Sequence, residues 1–109
     1  MKVLMYGAPI CINCVRGKEV LGNHKEIELE YRNITESTTL LKEFLAYRDK
    51  ESMFEPVKEG GKIGIPLFIL EDGRKTFDIT EFVTLTEEDN RIINGEQVNA
   101  CSIDGKGNC

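Results

Sequence analysis

Two cysteines, Cys11 and Cys14, are separated by two residues and follow a short apolar segment that ends at Tyr6. If a strand ends near Tyr6 and a helix begins near Cys11, both sulfurs lie in the first helical turn, where unpaired backbone N–H groups and the helix dipole favour a thiolate. A lowered pKa makes a thiol reactive. Side chains three residues apart share one helix face, so the two sulfurs can close a small reversible ring. The chemistry that this spacing permits is thiol–disulfide exchange.

The segments around the cysteines predict the elements that hold them. Residues 2–6 are mostly apolar and are followed by glycine and proline, which is typical of a buried central strand. A helical pattern begins near Cys11 and stops at Gly22. Residues 27–34 alternate between apolar and polar, as in a strand with one wet face. Strand, helix and strand in this order predict a parallel, right-handed crossover.

The middle of the chain predicts one helix and a long loop. The apolar residues of the helix recur at helical spacing and predict a buried stripe: Leu40, Leu41, Phe44 and Leu45. Residues 49–62 are rich in charge and contain Pro56 and two glycines, which predicts a loop that could contact substrate. Three apolar residues are expected to anchor this loop to the core: Met53, Phe54 and Val57.

The last third of the chain predicts a hairpin, helical segments and a tail. Residues 67–70 and 74–77 flank a turn at Gly73, which predicts an antiparallel pair of strands. A capping-box-like pattern starts a helix at Asp78 and a second start lies at Thr86, so one helix and two helices are both consistent with the pattern. We expect a single domain over residues 1–93 and a flexible tail over residues 94–109.

Composition excludes several classes of function. The chain has 14 basic and 19 acidic residues, a net charge of −5, so it lacks the basic surface that nucleic-acid binding requires. No apolar run is long enough for a membrane helix, and the N-terminal segment is too short for a signal peptide. We therefore expect a cytoplasmic monomer without a membrane partner. Four cysteines in a reducing compartment favour catalysis or metal binding over structural disulfides.

The order of these elements over residues 2–85 resembles the glutaredoxin branch of the thioredoxin superfamily. The resemblance implies an α/β, thioredoxin-like (glutaredoxin) fold with a four-stranded mixed sheet flanked by helices. It implies that Cys11 is the nucleophile and Cys14 the resolving cysteine. It also places Ile65 and Pro66 on the family's cis-proline element, opposite the cysteines, with the Ile65 backbone open to an extended thiol substrate. Taken alone, Pro66 would be expected in the commoner trans form at the start of a strand.

Several positions depart from the family pattern. Ile12 and Asn13 stand between the cysteines in place of the usual Pro-Tyr, and the lysine that usually precedes the motif is missing. Of the Gly-Gly and Asp that hold the γ-glutamyl group of glutathione in the family, Asp78 alone remains. Tyr6 stands where the family has an aromatic residue. The substrate-binding residues expected from the resemblance are Tyr6, Ile12, Asn13, Ile65, Pro66 and Asp78.

The resemblance implies a small thiol–disulfide oxidoreductase that reduces disulfides of proteins or small molecules, or glutathione mixed disulfides. It implies no bound metal or cofactor, glutathione as a candidate co-substrate, and glutathione or a thioredoxin-type protein as the electron donor. One alternative is a metal or iron–sulfur module that holds a cluster between two protomers through Cys11. Another is a non-catalytic adaptor. An arsenate-reductase or redox-regulator relative is disfavoured, since those proteins need a larger helical insertion than residues 49–62 provide.

Four further residues are chemically notable. His24 is expected at the surface in a turn, and Arg16 is expected on a solvated helix face, although it could help hold a thiolate. Cys101 and Cys109 match no zinc-binding spacing. They could bridge to each other, relay electrons to Cys11 and Cys14, or have no defined role.

Overall fold

A four-stranded mixed sheet in the order β2-β1-β3-β4 forms the centre of the fold. The structure is a computed structural model that describes residues 1–93, and the predicted tail, residues 94–109, lies outside the described residues. The strands are β1 (Lys2–Gly7), β2 (Glu28–Asn33), β3 (Leu67–Leu70) and β4 (Lys75–Thr76). Strand β1 pairs parallel with β2 and antiparallel with β3, and β3 pairs antiparallel with β4. The predicted α/β architecture with a mixed sheet, a parallel crossover and a hairpin is confirmed.

Four α-helices accompany the sheet. They are α1 (Ile12–Gly22), α2 (Thr38–Lys50), α3 (Glu55–Glu59) and α4 (Glu87–Ile93), with short 3₁₀ turns at Ser52–Phe54 and Ile79–Glu81. The segment after the hairpin therefore forms a 3₁₀ turn and a separate helix. Within residues 1–93, no helix has the length and apolar character needed to cross a membrane.

The segment predicted as a loop, residues 49–62, is largely helical, so that prediction is wrong. Helix α2 continues to Lys50, and after the 3₁₀ turn α3 begins at Glu55. Pro56 occupies the first turn of α3, where its missing N–H removes no helical hydrogen bond. The predicted anchor Phe54 is fully buried, and Met53 and Val57 pack against the core. Proline therefore starts a helix here.

The two faces of the sheet meet different helices. Side chains alternate along β1, so Tyr6 lies on the face opposite to that of its neighbours Met5 and Gly7. A Cβ atom at Gly17 of α1 would lie 3.6 Å from Met5, which places α1 over the Met5 side, here called the α1 face. The Tyr6 ring packs on Phe44 of α2 at 6.2 Å between centroids, on what we call the α2 face.

Helix α2 buries a narrower stripe than predicted. Phe44 is 1% exposed and Tyr47 packs against the core, but Leu41 and Leu45 are exposed. Each exposed leucine comes one residue after a residue of α2 that faces the sheet. One residue corresponds to a rotation of about 100° around the helix axis, which turns the leucine side chain away from the sheet. The prediction that both leucines are buried is wrong, because Phe44 and Tyr47 are the residues of α2 whose rings pack on Tyr6.

Candidate active site: a buried dithiol at the start of α1

Cys11 is the residue that caps the N-terminus of α1. Its backbone is extended (φ −100°, ψ 114°), and its Sγ accepts a hydrogen bond from the backbone N–H of Cys14 at 3.3 Å. The Cys11 backbone N–H in turn donates to the carbonyl of Ala8 at 3.1 Å. Cys11 and Cys14 are not joined to each other by a disulfide, and both are buried. The strand end, the turn and the helix start thus hold the two sulfurs in one place, as predicted.

The pKa values of the two thiols are shifted in opposite directions. The Cys14 thiol donates a hydrogen bond to Cys11 Sγ, and this bond is the main cause of the lowered pKa of Cys11. Burial raises the pKa of Cys11, whereas the backbone N–H groups of Cys14 and Asn13 lower it. The same side-chain hydrogen bond, with burial, raises the pKa of Cys14 far above its ordinary value. A thiolate on Cys11 beside a protonated Cys14 is the stable arrangement.

Gly7 allows the end of β1 to approach the dithiol closely. A Cβ atom at this position would lie 3.1 Å from Cys14 Sγ and 3.2 Å from Cε1 of Tyr31. Both distances are shorter than ordinary contacts, so a methyl group at this position would force Cys14 or Tyr31 to move by a few tenths of an ångström. In the sequence, Gly7 indicates only the end of a strand, and no local pattern indicates this contact.

Tyr31 is a second residue that the sequence analysis missed. It pairs in register with Met5 of β1, which puts its ring on the α1 face beside the dithiol. Burial raises its pKa, and electrostatic interaction with the two cysteine sulfurs raises it further. The Lys18 Nζ lies 4.3 Å from the centre of the Tyr31 ring. Strand alternation combined with the parallel register of β1 and β2 could have identified it.

A groove of about 410 Å³ lies between the first turns of α1 and the loop before β3, lined by Asn13 from the segment between the cysteines but by neither cysteine itself. Asn13 and Arg16 line one side. The Ile65–Pro66 peptide lines the other and is cis, as the resemblance implied. The apolar lining includes Val57, Ile65, Pro66, Phe68, Phe77, Ile79 and Ile93. Among residues 1–93, none hydrogen-bonds to the backbone N–H or C=O of Ile65, so that backbone can pair with an extended chain.

Four of the six predicted substrate-binding residues line this groove: Asn13, Ile65, Pro66 and Asp78. The Asp78 carboxylate also caps the following 3₁₀ turn, accepting from the Thr80 N–H at 2.9 Å. Ile12 is partly buried next to Asn13 but does not line the groove. The structure therefore brings the cysteine turn and the proline loop to the same cleft.

Tyr6 is placed away from this cleft. It lies on the α2 face and is 1% exposed. Its hydroxyl donates to Glu43 Oε1 at 3.0 Å and accepts from Arg32 Nη1 at 3.0 Å. Burial, followed by the hydrogen bond to Glu43, raises the pKa of Tyr6 to about 12. The structure gives Tyr6 a core position in place of the expected substrate contact, because strand alternation directs its side chain to the opposite face.

His24 is partly buried, which corrects the expectation of a surface residue. Its Nε2 lies 2.7 Å from Oδ2 of Asp89, a residue that is 1% exposed, and its Nδ1 lies 3.0 Å from Glu26. Hydrogen bonds to both carboxylates raise the pKa of His24. Asp89 and Thr86 form a reciprocal capping box at the start of α4. The contact between His24 and Asp89 therefore holds the start of α4 against the end of α1.

Arg16 forms a hydrogen bond with the other end of α4. The Arg16 Nη1 donates to the carbonyl oxygen of Ile93 at 3.1 Å, and the residue is partly buried at the groove. The expected solvated helix face is therefore wrong for this side chain. The two polar contacts hold α4 along α1 at both ends, and they place Ile93 on the rim of the groove.

No protein-family model matches the chain, and no curated protein or solved structure matches it either. Within the part of the chain that the structure describes, no group of three or more His, Cys, Asp or Glu side chains could hold a metal ion. The chemistry of the site must therefore be argued from its own geometry.

Proposed function

We propose that this protein is a small thiol–disulfide oxidoreductase with a thioredoxin-like fold of the glutaredoxin branch. The observation that carries the proposal is the unequal pair of thiols at the start of α1: the pKa of Cys11 is lowered and that of Cys14 is raised. The sheet order, with the cis Ile65–Pro66 peptide across a groove from the cysteine turn, supports it. A dithiol that reduces disulfides suits a compartment that keeps thiols reduced, and we propose the cytoplasm.

The first step is attack of the Cys11 thiolate on one sulfur of a substrate disulfide. A new bond joins Cys11 to that sulfur, the substrate S–S bond breaks, and the departing thiolate takes a proton from solvent. In the second step the Cys14 thiolate attacks Cys11 Sγ and releases the remaining substrate thiolate. The substrate gains two electrons and the enzyme dithiol is oxidised to a disulfide.

The hydrogen bond between the thiols sets the order of these steps. While Cys11 is a thiolate, it holds the proton on Cys14 and keeps that sulfur from reacting. Once Cys11 has entered a mixed disulfide, its negative charge is gone and the main cause of the high Cys14 pKa is removed. The N–H of Ala8, which faces the Cys14 sulfur, then favours its thiolate. Cys14 therefore becomes reactive only when there is an intermediate to resolve.

The groove supports an extended substrate segment. Its apolar lining and the Ile65 backbone suit a peptide that carries a cysteine, with Arg16 and Lys62 as positive groups and Asp78 as a negative one. We propose protein disulfides or glutathione mixed disulfides as substrates, and glutathione or a thioredoxin-type protein as the donor.

The proposal is tested with two variants. Cys11→Ser should lower the rate of insulin or glutathione mixed-disulfide reduction to background, since no other described group supplies the nucleophile. Cys14→Ser should accumulate a mixed disulfide on Cys11 that mass spectrometry identifies. Iodoacetamide should alkylate Cys11 at a lower pH than it alkylates Cys14, because the pKa of Cys11 is lowered and that of Cys14 is raised. If fully reduced protein acts on neither substrate with either donor supplied, the proposal fails.

A further inference from the structure

One side chain of α2 holds the start of the loop of residues 62–66, here called the proline loop. Arg48 lies in the last turn of α2. Its Nε donates to the carbonyl oxygen of Ile63 at 3.0 Å, and its Nη2 donates to the carbonyl oxygen of Lys62 at 2.9 Å. A guanidinium presents its N–H groups in a rigid planar fork. Because the fork binds two successive carbonyls at once, it fixes the direction of the chain as it enters the groove.

Two further contacts support the same stretch of the proline loop. The Lys62 N–H donates to the carbonyl of Val57 in α3 at 2.9 Å. Gly64 has a φ of +98°, and a Cβ atom there would lie 2.6 Å from the ring of the fully buried Phe54. This is closer than carbon atoms approach, so the loop backbone rests directly on the ring. The first half of the loop is therefore held by α2, by α3 and by the core.

The middle of the proline loop is fixed in place but has no backbone partner. Among the described residues, none forms a hydrogen bond with the backbone N–H or C=O of Gly64 or Ile65. Both residues line the groove. Beyond them the chain enters β3, where Leu67 pairs in register with Tyr6 of β1. An edge that is anchored at both ends and unpaired in between is preorganised to bind an extended chain.

We propose that Arg48 is a positioning residue that fixes this backbone edge for an extended peptide, so that the protein favours disulfides of peptides and proteins over small disulfides. The inference rests on the proposed function and narrows its substrate class. Without the guanidinium, the loop samples several conformations and only a fraction of molecules present the edge. The apparent affinity for a peptide falls by that fraction. A small disulfide has no extended backbone to pair with Ile65, so its reaction does not depend on Arg48.

The first test compares two variants that each remove one positive charge from α2, Arg48→Gln and Lys42→Gln, where Lys42 is an exposed residue of the same helix. Fully reduced protein is mixed with excess disulfide and a single turnover is followed. The disulfides are a synthetic cysteine peptide dimerised through its cysteine and bis(2-hydroxyethyl) disulfide. The Cys11→Ser chain gives the background from other thiols.

Arg48→Gln should raise the half-saturating concentration of the peptide about tenfold, which corresponds to about one molecule in ten with the loop in its binding conformation. The limiting rate should stay the same, as should the rate with bis(2-hydroxyethyl) disulfide and the pH dependence of Cys11 alkylation. Lys42→Gln should match the wild-type protein in all of these quantities. A merely structural role of Arg48 would instead slow both disulfides together.

The second test uses the wild-type chain and does not depend on the folding of a variant. The same peptide dimer, N-methylated at its cysteine and at both neighbouring residues, cannot donate backbone hydrogen bonds to Ile65. Rates are normalised to cleavage of each peptide by dithiothreitol. The wild-type protein should need about ten times more of the methylated peptide for half-saturation, and Arg48→Gln should add nothing further, because both changes remove the same interaction.

The outcomes separate this inference from the proposed function. If the wild-type protein cleaves neither disulfide, the proposed function fails and the inference with it. If it cleaves both, the proposed function stands. The role of Arg48 is then overturned if Arg48→Gln behaves like Lys42→Gln, if it slows both disulfides equally, or if methylation of the peptide has no effect.

Discussion

The two faces of the sheet are packed by opposite means. On the α2 face, large rings fill the space, with Tyr6, Phe44 and Phe54 in successive contacts about 6 Å apart between centroids. On the α1 face at the dithiol, a missing side chain at Gly7 brings the strand against Cys14. Ring packing supplies buried apolar area, which stabilises the fold without specifying any reactive atom. Close backbone approach instead sets the position of the sulfurs. We therefore expect substitutions on the α2 face to change mainly the stability of the fold, and substitutions on the α1 face to change mainly the chemistry of the thiols.

The largest effect on stability is expected from Phe44→Ala on the α2 face. Truncation of a fully buried phenylalanine leaves a cavity and costs about 3–5 kcal/mol of unfolding free energy. The pH dependence of Cys11 alkylation should stay the same, because Phe44 packs on Tyr6, on the face of the sheet opposite to the contact between Gly7 and Cys14. Urea denaturation and alkylation rates measure the two quantities. Tyr6→Phe is the milder companion, since it keeps the ring and removes only the buried hydroxyl. A changed Cys11 reactivity in either folded variant would break the separation of the faces.

A smaller loss of stability with a larger chemical effect is expected from Gly7→Ala. The added methyl group would overpack Cys14 and Tyr31, at a cost of about 1–3 kcal/mol. Displacement of Cys14 lengthens its hydrogen bond to Cys11, so the pKa of Cys11 should rise toward its ordinary value. Alkylation of Cys11 across a pH series measures this shift.

Gly22→Ala is the matched control for this substitution. Gly22 lies in the same helix as the cysteines, and a Cβ atom there would meet no other atom within 4 Å. Alanine at such a helical position should leave the thiols unchanged and raise stability by about 0.5–1 kcal/mol. If Gly7→Ala behaves like Gly22→Ala, close approach at Gly7 does not control the dithiol.

The smallest effect is expected from His24→Gln, and it should depend on pH. The folded pKa of His24 is raised, so its contribution to stability is complete below its ordinary pKa of about 6.5 and is lost as pH rises through the folded value. At about pH 5.5, where Asp89 with its lowered pKa stays ionised, the variant should lose about 1–2 kcal/mol. Well above the folded pKa of His24 the two proteins should converge. Thermal unfolding at both pH values measures this, and a constant difference would contradict the ionic contact.

Local patterns were enough to predict the elements that carry the dithiol. The apolar strand before Gly7, the helix that starts at the cysteines and the hairpin around Gly73 each have short-range signals, and all three are confirmed. The groove between Asn13 and Pro66 followed from a family resemblance and could not have been found from spacing alone.

Other features depend on contacts between distant parts of the chain. His24 and Asp89 are 65 residues apart, and no local pattern pairs them. The capping box formed by Thr86 and Asp89 could have been predicted from the local sequence, but the contact of Asp89 with His24 could not. Tyr6 was expected in the site because the resembling family has an aromatic residue at this position near the cysteines, although strand alternation directs its side chain to the other face. In this fold, proximity in sequence predicts the position of the backbone better than the direction of a side chain.

The capping role of Cys11 couples the redox state of the protein to the start of a helix. The sulfur that we propose as the nucleophile is also the acceptor of the hydrogen bond from the Cys14 N–H. A sulfur in a disulfide carries no negative charge and accepts such a bond weakly. In the proposed reaction, the first turn of α1 therefore loosens as the mixed disulfide forms and is restored when Cys11 is released. Exchange of the Cys14 amide hydrogen with solvent should be faster in the oxidised protein than in the reduced one, so a single amide reports the redox state.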